Sequence, residues 1–154
     1  MTKSMLGTTA VAQIALLVHD IESASQAYAD FFGIDNRSWF WSDEFGITLT
    51  EFRGKPTEGR AKLAFLDMGS IQLELIEPDD HPSTWRESLD RHGEGFHHIA
   101  FFVEGMQEKI LLMEREHMPV LQKGEDAAGQ YIYAYMDTSS KLKLLIELLE
   151  HQKE

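Results

Sequence analysis

A chain of 154 residues suffices for one compact domain or for two half-domains sharing a core, and no apolar run approaches the roughly 20 residues that span a bilayer. It has no cysteine, which removes disulfides, thiolate metal sites and cysteine nucleophiles, so any metal must be held by nitrogen and oxygen. A net charge of −12 opposes binding to nucleic acid or anionic membranes, and the N-terminal residues are too polar for a signal peptide, so the expected location is cytoplasmic.

Residues 1–10 read as a loose tail. Gln13 to Val18 reads as a short buried strand, after which Asp20 is placed to cap a helix over about 22–32, with Gly33 as its stop. Ser38 to Ser42 and a stretch within Ile47 to Phe52 read as strands. Arg53 to Gly59, rich in glycine, proline and charge, reads as a loop. Ala61 to Asp67 and Ile71 to Glu77 follow as strands joined by a tight turn at Met68 to Ser70. Pro78 to Pro82 connects to a short helix, about 83–91, with Ser83 as its cap.

The second half repeats the first. His98-Ile-Ala-Phe-Phe-Val matches Gln13-Ile-Ala-Leu-Leu-Val at an offset of 85 residues, and a helix over about Met106 to His117 follows again. Leu73-Glu-Leu-Ile-Glu77 matches Ile146-Glu-Leu-Leu-Glu150 at an offset of 73, so the first copy carries 12 extra residues (85 − 73), around Phe45 to Gly59. Two copies of strand, helix and several strands predict an α+β duplication, with modules at about 11–80 and 96–150.

Strand alternation then sorts the polar residues. Ile14, Leu16 and Val18, with their mates Ile99, Phe101 and Val103, are expected to pack on the helices. Gln13, Glu74, His98 and Glu147 share the opposite face at equivalent places in the repeat, while His97 keeps the packing phase of Ile99. One imidazole nitrogen and three oxygens suit a divalent cation with places open for water or substrate. Solvated sheet residues are the plain alternative for this pattern.

These segments resemble the vicinal oxygen chelate superfamily over about residues 11–150. Its members pair two βαβββ modules into a cupped mixed sheet around one metal. Glu74-Leu-Ile-Glu-Pro78, Gly93-Glu-Gly-Phe-His-His-Ile-Ala-Phe101, Ala128-Gly129 and Ile146-Glu-Leu-Leu-Glu150 are most similar to the methylmalonyl-CoA epimerases within it. The resemblance implies one divalent ion (zinc, cobalt, nickel or manganese) on Gln13, Glu74, His98 and Glu147, a homodimer, and a small-molecule substrate such as an acyl-CoA. The implied activity is proton transfer next to a carbonyl, with Glu147 as the base and Glu51 as candidate for the second acid. Gln13 departs from the epimerase pattern and resembles the glyoxalases, yet Leu17 and Glu94 stand where those enzymes carry glutathione-binding arginines. The alternatives are therefore a glyoxalase-like lyase on another thiol adduct, or a non-catalytic binding or resistance protein. Arg53, Lys55, Lys141 and Lys143 are the cations available for an anionic ligand.

Overall fold

The computed structural model describes residues 4–35, 38–125 and 130–152, which build a ten-stranded mixed sheet curled into a cup. The first half runs β1 (Gln13–Leu17), α1 (Ile21–Phe32), β2 (Phe40–Trp41), α2 (Phe45–Thr48), β3 (Glu51–Phe52), β4 (Lys55–Pro56), β5 (Ala61–Asp67) and β6 (Gln72–Pro78). After α3 (Thr84–His92) come β7 (Gly95–Phe102), α4 (Met106–Arg115), β8 (Val120–Glu125), β9 (Tyr131–Met136), α5 (Ser139–Leu142) and β10 (Leu145–His151). The strand order is β2-β5-β6-β1-β7-β10-β9-β8-β3-β4. The two repeated strands, β1 and β7, pair antiparallel at its centre, each flanked by the parallel closing strand of its own half, β6 or β10.

Alternation decides what each face touches. Ile14, Leu16 and Val18 pack with Ile21, Ala24 and Tyr28 of α1. Ile99, Phe101 and Val103 pack with Met106, Ile110 and Met113 of α4. Fully burying such a side chain is worth about 1.5–3 kcal/mol, and the partly buried Ile14, Leu16 and Ile99 contribute a share of that. The Asp20 carboxylate accepts the Ser23 amide at 3.1 Å, and Gly33, at φ 64, ends α1 as the sequence predicts. Ser83 caps α3, accepting the Arg86 amide at 2.9 Å. Among the described residues, no helix is long and apolar enough to cross a membrane.

Three expectations change. Met5, Leu6 and Val11 pack against the α4 cluster, so the segment from Met5 is held to the second half and is no loose tail. The stretch expected to be a strand within 47–52 begins instead as a helical turn, with Leu49 in the left-handed region (φ 51) and its amide bonded to the Phe45 carbonyl. Only Glu51–Phe52 is extended. Arg53 and Gly54 both have positive φ, the geometry of a two-residue hairpin turn, so the expected loop folds back as β4. This hairpin pairs with β8, at the far end of the other half's arm. The extra residues of the first copy thus extend the second. Ala128 and Gly129 lie outside the described residues.

Behind the hairpin the chain passes close to the loop before α3. Thr57 Oγ1 donates to the Pro82 carbonyl at 2.6 Å, and a Cβ on Gly59 would meet the same oxygen at 2.7 Å. Gly59→Ala is therefore expected to destabilise the fold by about 1–3 kcal/mol in urea unfolding. Gly46→Ala, which has open space around it, should change stability by less than about 0.5 kcal/mol.

Candidate metal centre and active site

The central strands bring the four predicted side chains together in two rows. Ala15 lies between Glu74 on β6 and His98 on β7, and Ala100 lies between Gln13 on β1 and Glu147 on β10. Laterally paired residues share a face, so both rows point into the cup. Ala15 and Ala100, the alanines matched in the repeat, are fully buried and leave room above the floor for the longer side chains beside them.

All four converge on one atom. His98 Nε2 lies 2.8 Å from Glu147 Oε2, 3.2 Å from Gln13 Oε1 and 3.6 Å from Glu74 Oε1. Gln72 accepts from Gln13 Nε2 at 2.7 Å, which turns the other end of that amide, its oxygen, toward the imidazole. His98 is fully buried, and Gln13, Glu74 and Glu147 are nearly so. Burial pushes the Glu147 carboxyl up to about 8 and the His98 imidazole down to about 3, so the ring is neutral in the folded protein. Burial also raises the Glu74 carboxyl well above its ordinary range, with the charge of Glu147 adding to the shift. The contact between Glu147 and His98 is close but poorly aligned, and Glu147 Oε2 has no hydrogen-bond partner.

His97 is not where alternation predicts. Ala15 opposes His98 but Leu16 opposes Phe96, so His97 is the extra residue of a β-bulge. A bulge interrupts the two-residue period, and His97 turns into the cup beside its neighbour. Its Nδ1 stands 2.8 Å from Nδ1 of His98, and its ring meets Tyr135 edge-on at 5.4 Å. Gly95, at φ 134, supplies the backbone freedom just before the bulge. Burial lowers the His97 imidazole well below its ordinary value and the neighbouring His98 lowers it further, against a smaller opposing contribution from the Thr84 backbone.

The donor set fits a divalent cation. Donors about 2.1 Å from one ion stand roughly 3.0 Å apart at right angles and about 3.4 Å apart in a tetrahedron. The three distances from Nε2 span those values. Among the described residues, no three His, Cys, Asp or Glu side chains already converge on a common point as in a finished cage. Here the amide of Gln13 is one of the donors, and the oxygens meet the imidazole nitrogen directly. Two buried carboxyls held away from their ionised form, one with an unpartnered oxygen, are the groups whose burial a cation would compensate. For Nε2 to bind it, the ring proton must sit on Nδ1, where His97 Nδ1 can accept it.

The floor opens into a cavity of about 480 Å³. Its lining includes Gln13, Glu74 and Glu147, with Phe40, Phe65, Trp85, Phe102, Tyr131, Tyr133 and Tyr135 as walls. Trp85 and Leu89 of α3 fill the other part of the inner face, against Ala15, Leu17 and Ile76. Glu51 is not brought to the site. It lies on the edge strand β3, 3.5 Å from Lys123, while its neighbour Thr50 lines the cavity. The acids on the wall are Asp43 and Glu125, which the sequence did not single out. The anticipated cations are also elsewhere. Arg53 pairs with Glu87 at 2.7 Å, Lys141 with Glu116 at 3.8 Å, and Lys143 donates to the Ser140 carbonyl. Lys55 is exposed on β4, and among the described residues no lysine or arginine lines the cavity.

Comparison with known proteins now names the family. The model of the Glyoxalase/Bleomycin resistance protein/Dioxygenase superfamily matches residues 12–135. The chain belongs to that superfamily. It is 28% identical over 121 residues to the uncharacterized protein YqjC of Bacillus subtilis (strain 168), covering 77% of this chain and 85% of that one. The fold is similar to that of methylmalonyl-CoA epimerase from Mycobacterium tuberculosis, with a TM-score of 0.68, 17% identity and coverage of 99% and 93%. It is also similar to a methylmalonyl-CoA epimerase in complex with methylmalonyl-CoA and NH4+, with a TM-score of 0.66, 20% identity and coverage of 93% and 94%. The hypothetical protein BH1468 from Bacillus halodurans C-125 gives a TM-score of 0.66 at 22% identity, with coverage of 94% and 95%.

The floor of this superfamily member makes two measurable predictions. Without divalent cations, Glu147 holds its proton up to about pH 8 in the fold but loses it near 4.5 when unfolded, so its contribution to stability is lost as pH rises. His98, lowered from 6.5, contributes in the opposite sense only below about pH 6.5, leaving a clear window between 6.5 and 8. Across it, the Glu147 carboxyl alone should cost cation-free protein up to about 2 kcal/mol in chemical unfolding, with the raised Glu74 carboxyl acting in the same sense, and added divalent cation should flatten the slope. His98→Ala should abolish metal retention, whereas His97→Ala should weaken metal affinity about 10- to 100-fold, measured by calorimetry. Unchanged affinity in His97→Ala would show that the bulged histidine does not orient its neighbour.

Proposed function

We propose that this chain is a metal-dependent isomerase or lyase that moves a proton at a carbon next to a carbonyl, with methylmalonyl-CoA epimerase activity as its specific form. The observation that carries the reading is the convergence of Gln13, Glu74 and Glu147 on the neutral His98 imidazole at the floor of an aromatic cavity. Similarity in fold to methylmalonyl-CoA epimerases supports it. A zinc, cobalt, nickel or manganese ion on these four residues would supply Lewis-acid stabilisation of charge on a substrate oxygen, worth several kcal/mol.

The chain's own groups carry the proton. Glu147 lines the cavity from its floor, so its carboxylate can take a proton from a carbon held above it. Epimerisation needs an acid on the other side of that carbon. Asp43 lines the cavity from the segment after β2, on the arm of the sheet opposite β10, and takes the role first considered for Glu51. The hydrophobic walls limit water around both groups.

A second reading, a glyoxalase-like lyase or a small-molecule binding protein, draws on the wall itself. With aromatic rings and carboxylates but no lysine or arginine among its described residues, the cavity suits a neutral ligand better than a polyanion. One experiment separates the two. Metal-supplemented protein incubated with methylmalonyl-CoA in deuterium oxide should incorporate solvent deuterium at the carbon between the two carbonyl groups. Asp43→Asn should retain exchange at one face while losing epimerisation at least about 10²-fold. Well-metallated protein that neither exchanges nor epimerises would exclude this substrate and favour the neutral-ligand reading.

A further inference from the structure

The hydrogen bonds around Trp85 leave one proton unaccounted for. An indole N–H can only donate. In the 3.0 Å contact between Trp85 Nε1 and the Tyr135 hydroxyl, the phenol oxygen is therefore the acceptor, and its own hydrogen must point elsewhere. Tyr135 is 3% exposed, and among the described residues Trp85 is its hydrogen-bond partner and no acceptor takes the phenolic hydrogen. Its neighbour Tyr133 differs, since that hydroxyl has both Gln122, at 3.1 Å, and Thr50 as partners. A buried hydroxyl hydrogen without an acceptor costs about 1–3 kcal/mol.

The position of Tyr135 indicates what the hydrogen is for. On β9 it stands directly across the ladder from Glu147, it lines the same cavity, and its ring is 4.8 Å from that of His98. Two neighbours fix it, since the Trp85 ring packs edge-on against it at 6.2 Å and His97 does so at 5.4 Å. A neutral donor held beside the proposed base, with no lysine or arginine on the walls among the described residues, suits an oxygen that is uncharged in the substrate and gains charge only during the reaction.

We infer that Tyr135 is a further catalytic residue, donating its phenolic O–H as a hydrogen bond to the substrate oxygen that becomes negative when Glu147 removes the adjacent proton. This rests on the proton-transfer reading above. In the step, the C–H bond breaks as an O–H bond forms on Glu147, and the electron pair moves onto the carbonyl oxygen. Tyr135 keeps its O–H bond throughout. The substrate class is a thioester or ketone with a neutral carbonyl oxygen.

The test uses 2-nitronate-propionyl-CoA, which carries negative charge on oxygen as the reacting state would, and propionyl-CoA as its neutral counterpart. Each is titrated calorimetrically into metal-supplemented protein. Tyr135→Phe should weaken nitronate binding about 10- to 100-fold and propionyl-CoA binding less than about threefold. Equal nitronate affinity in wild type and Tyr135→Phe would overturn the role of Tyr135 and leave the proton-transfer reading standing. Wild type that binds neither compound and exchanges no deuterium would overturn both. If Tyr135→Phe melts below the assay temperature, Trp85→Phe, which keeps the phenol but removes the N–H that directs it, carries the test. A loss of nitronate affinity of about threefold or more then supports the role, and an unchanged affinity overturns it.

Discussion

Two carboxyls buried against a neutral imidazole are the constraint around which this cup is arranged. Glu74 and Glu147 are kept from water by the sheet beneath and the aromatic walls above, and their close polar company includes His98, Gln13 and the phenols of Tyr133 and Tyr135. A carboxylate stripped of solvent is costly unless a partner compensates it. Protonation offsets that cost in the bare protein, at the expense of ionised donors. A divalent cation would offset it differently, and would leave the carboxylates able to act as ligands and as base. The small side chains of Ala15 and Ala100, one in each row, make this crowding sterically possible.

The floor is close to twofold symmetric, because it descends from two copies of one pattern. The walls are not. α3 fills part of the inner face with Trp85 and Leu89, the β3–β4 hairpin crosses to pair with β8, and the bulge at His97 exists in β7 with no mate in β1. A symmetric set of donors is enough to hold an ion, whereas an asymmetric wall is needed to present one substrate carbon to one base. The same asymmetry places Tyr135 beside Glu147 and Asp43 on the opposite arm.

Much of this could be read before folding. The repeat identified the central strands, and the two-residue period selected Gln13, Glu74, His98 and Glu147 as one face, which the ladder brings together. Capping by Asp20 and Ser83 is a local matter, settled within one helical turn, and the sequence anticipated both. His97 was misplaced because a bulge is a mismatch in length between two paired strands, and neither strand alone reveals it. Glu51 was misplaced because its direction depends on the left-handed Leu49 and on pairing with β8, which lies about 70 residues later in the chain. The acids and cations of the wall were harder still. Their roles follow from which loops reach the cavity and which charges find partners first, as Arg53 finds Glu87.

By itself, then, the sequence determined the duplicated α+β architecture, the phase of the four floor residues and the absence of thiolate chemistry, since these follow from composition and from periods of two and 3.6 residues. Only the tertiary structure decided that His97 stands against His98, that Asp43 rather than Glu51 lines the cavity with Glu147, and that Tyr135 accepts from Trp85 beside that cavity. Each of those depends on contacts between segments far apart in the chain, where no local pattern records the partner.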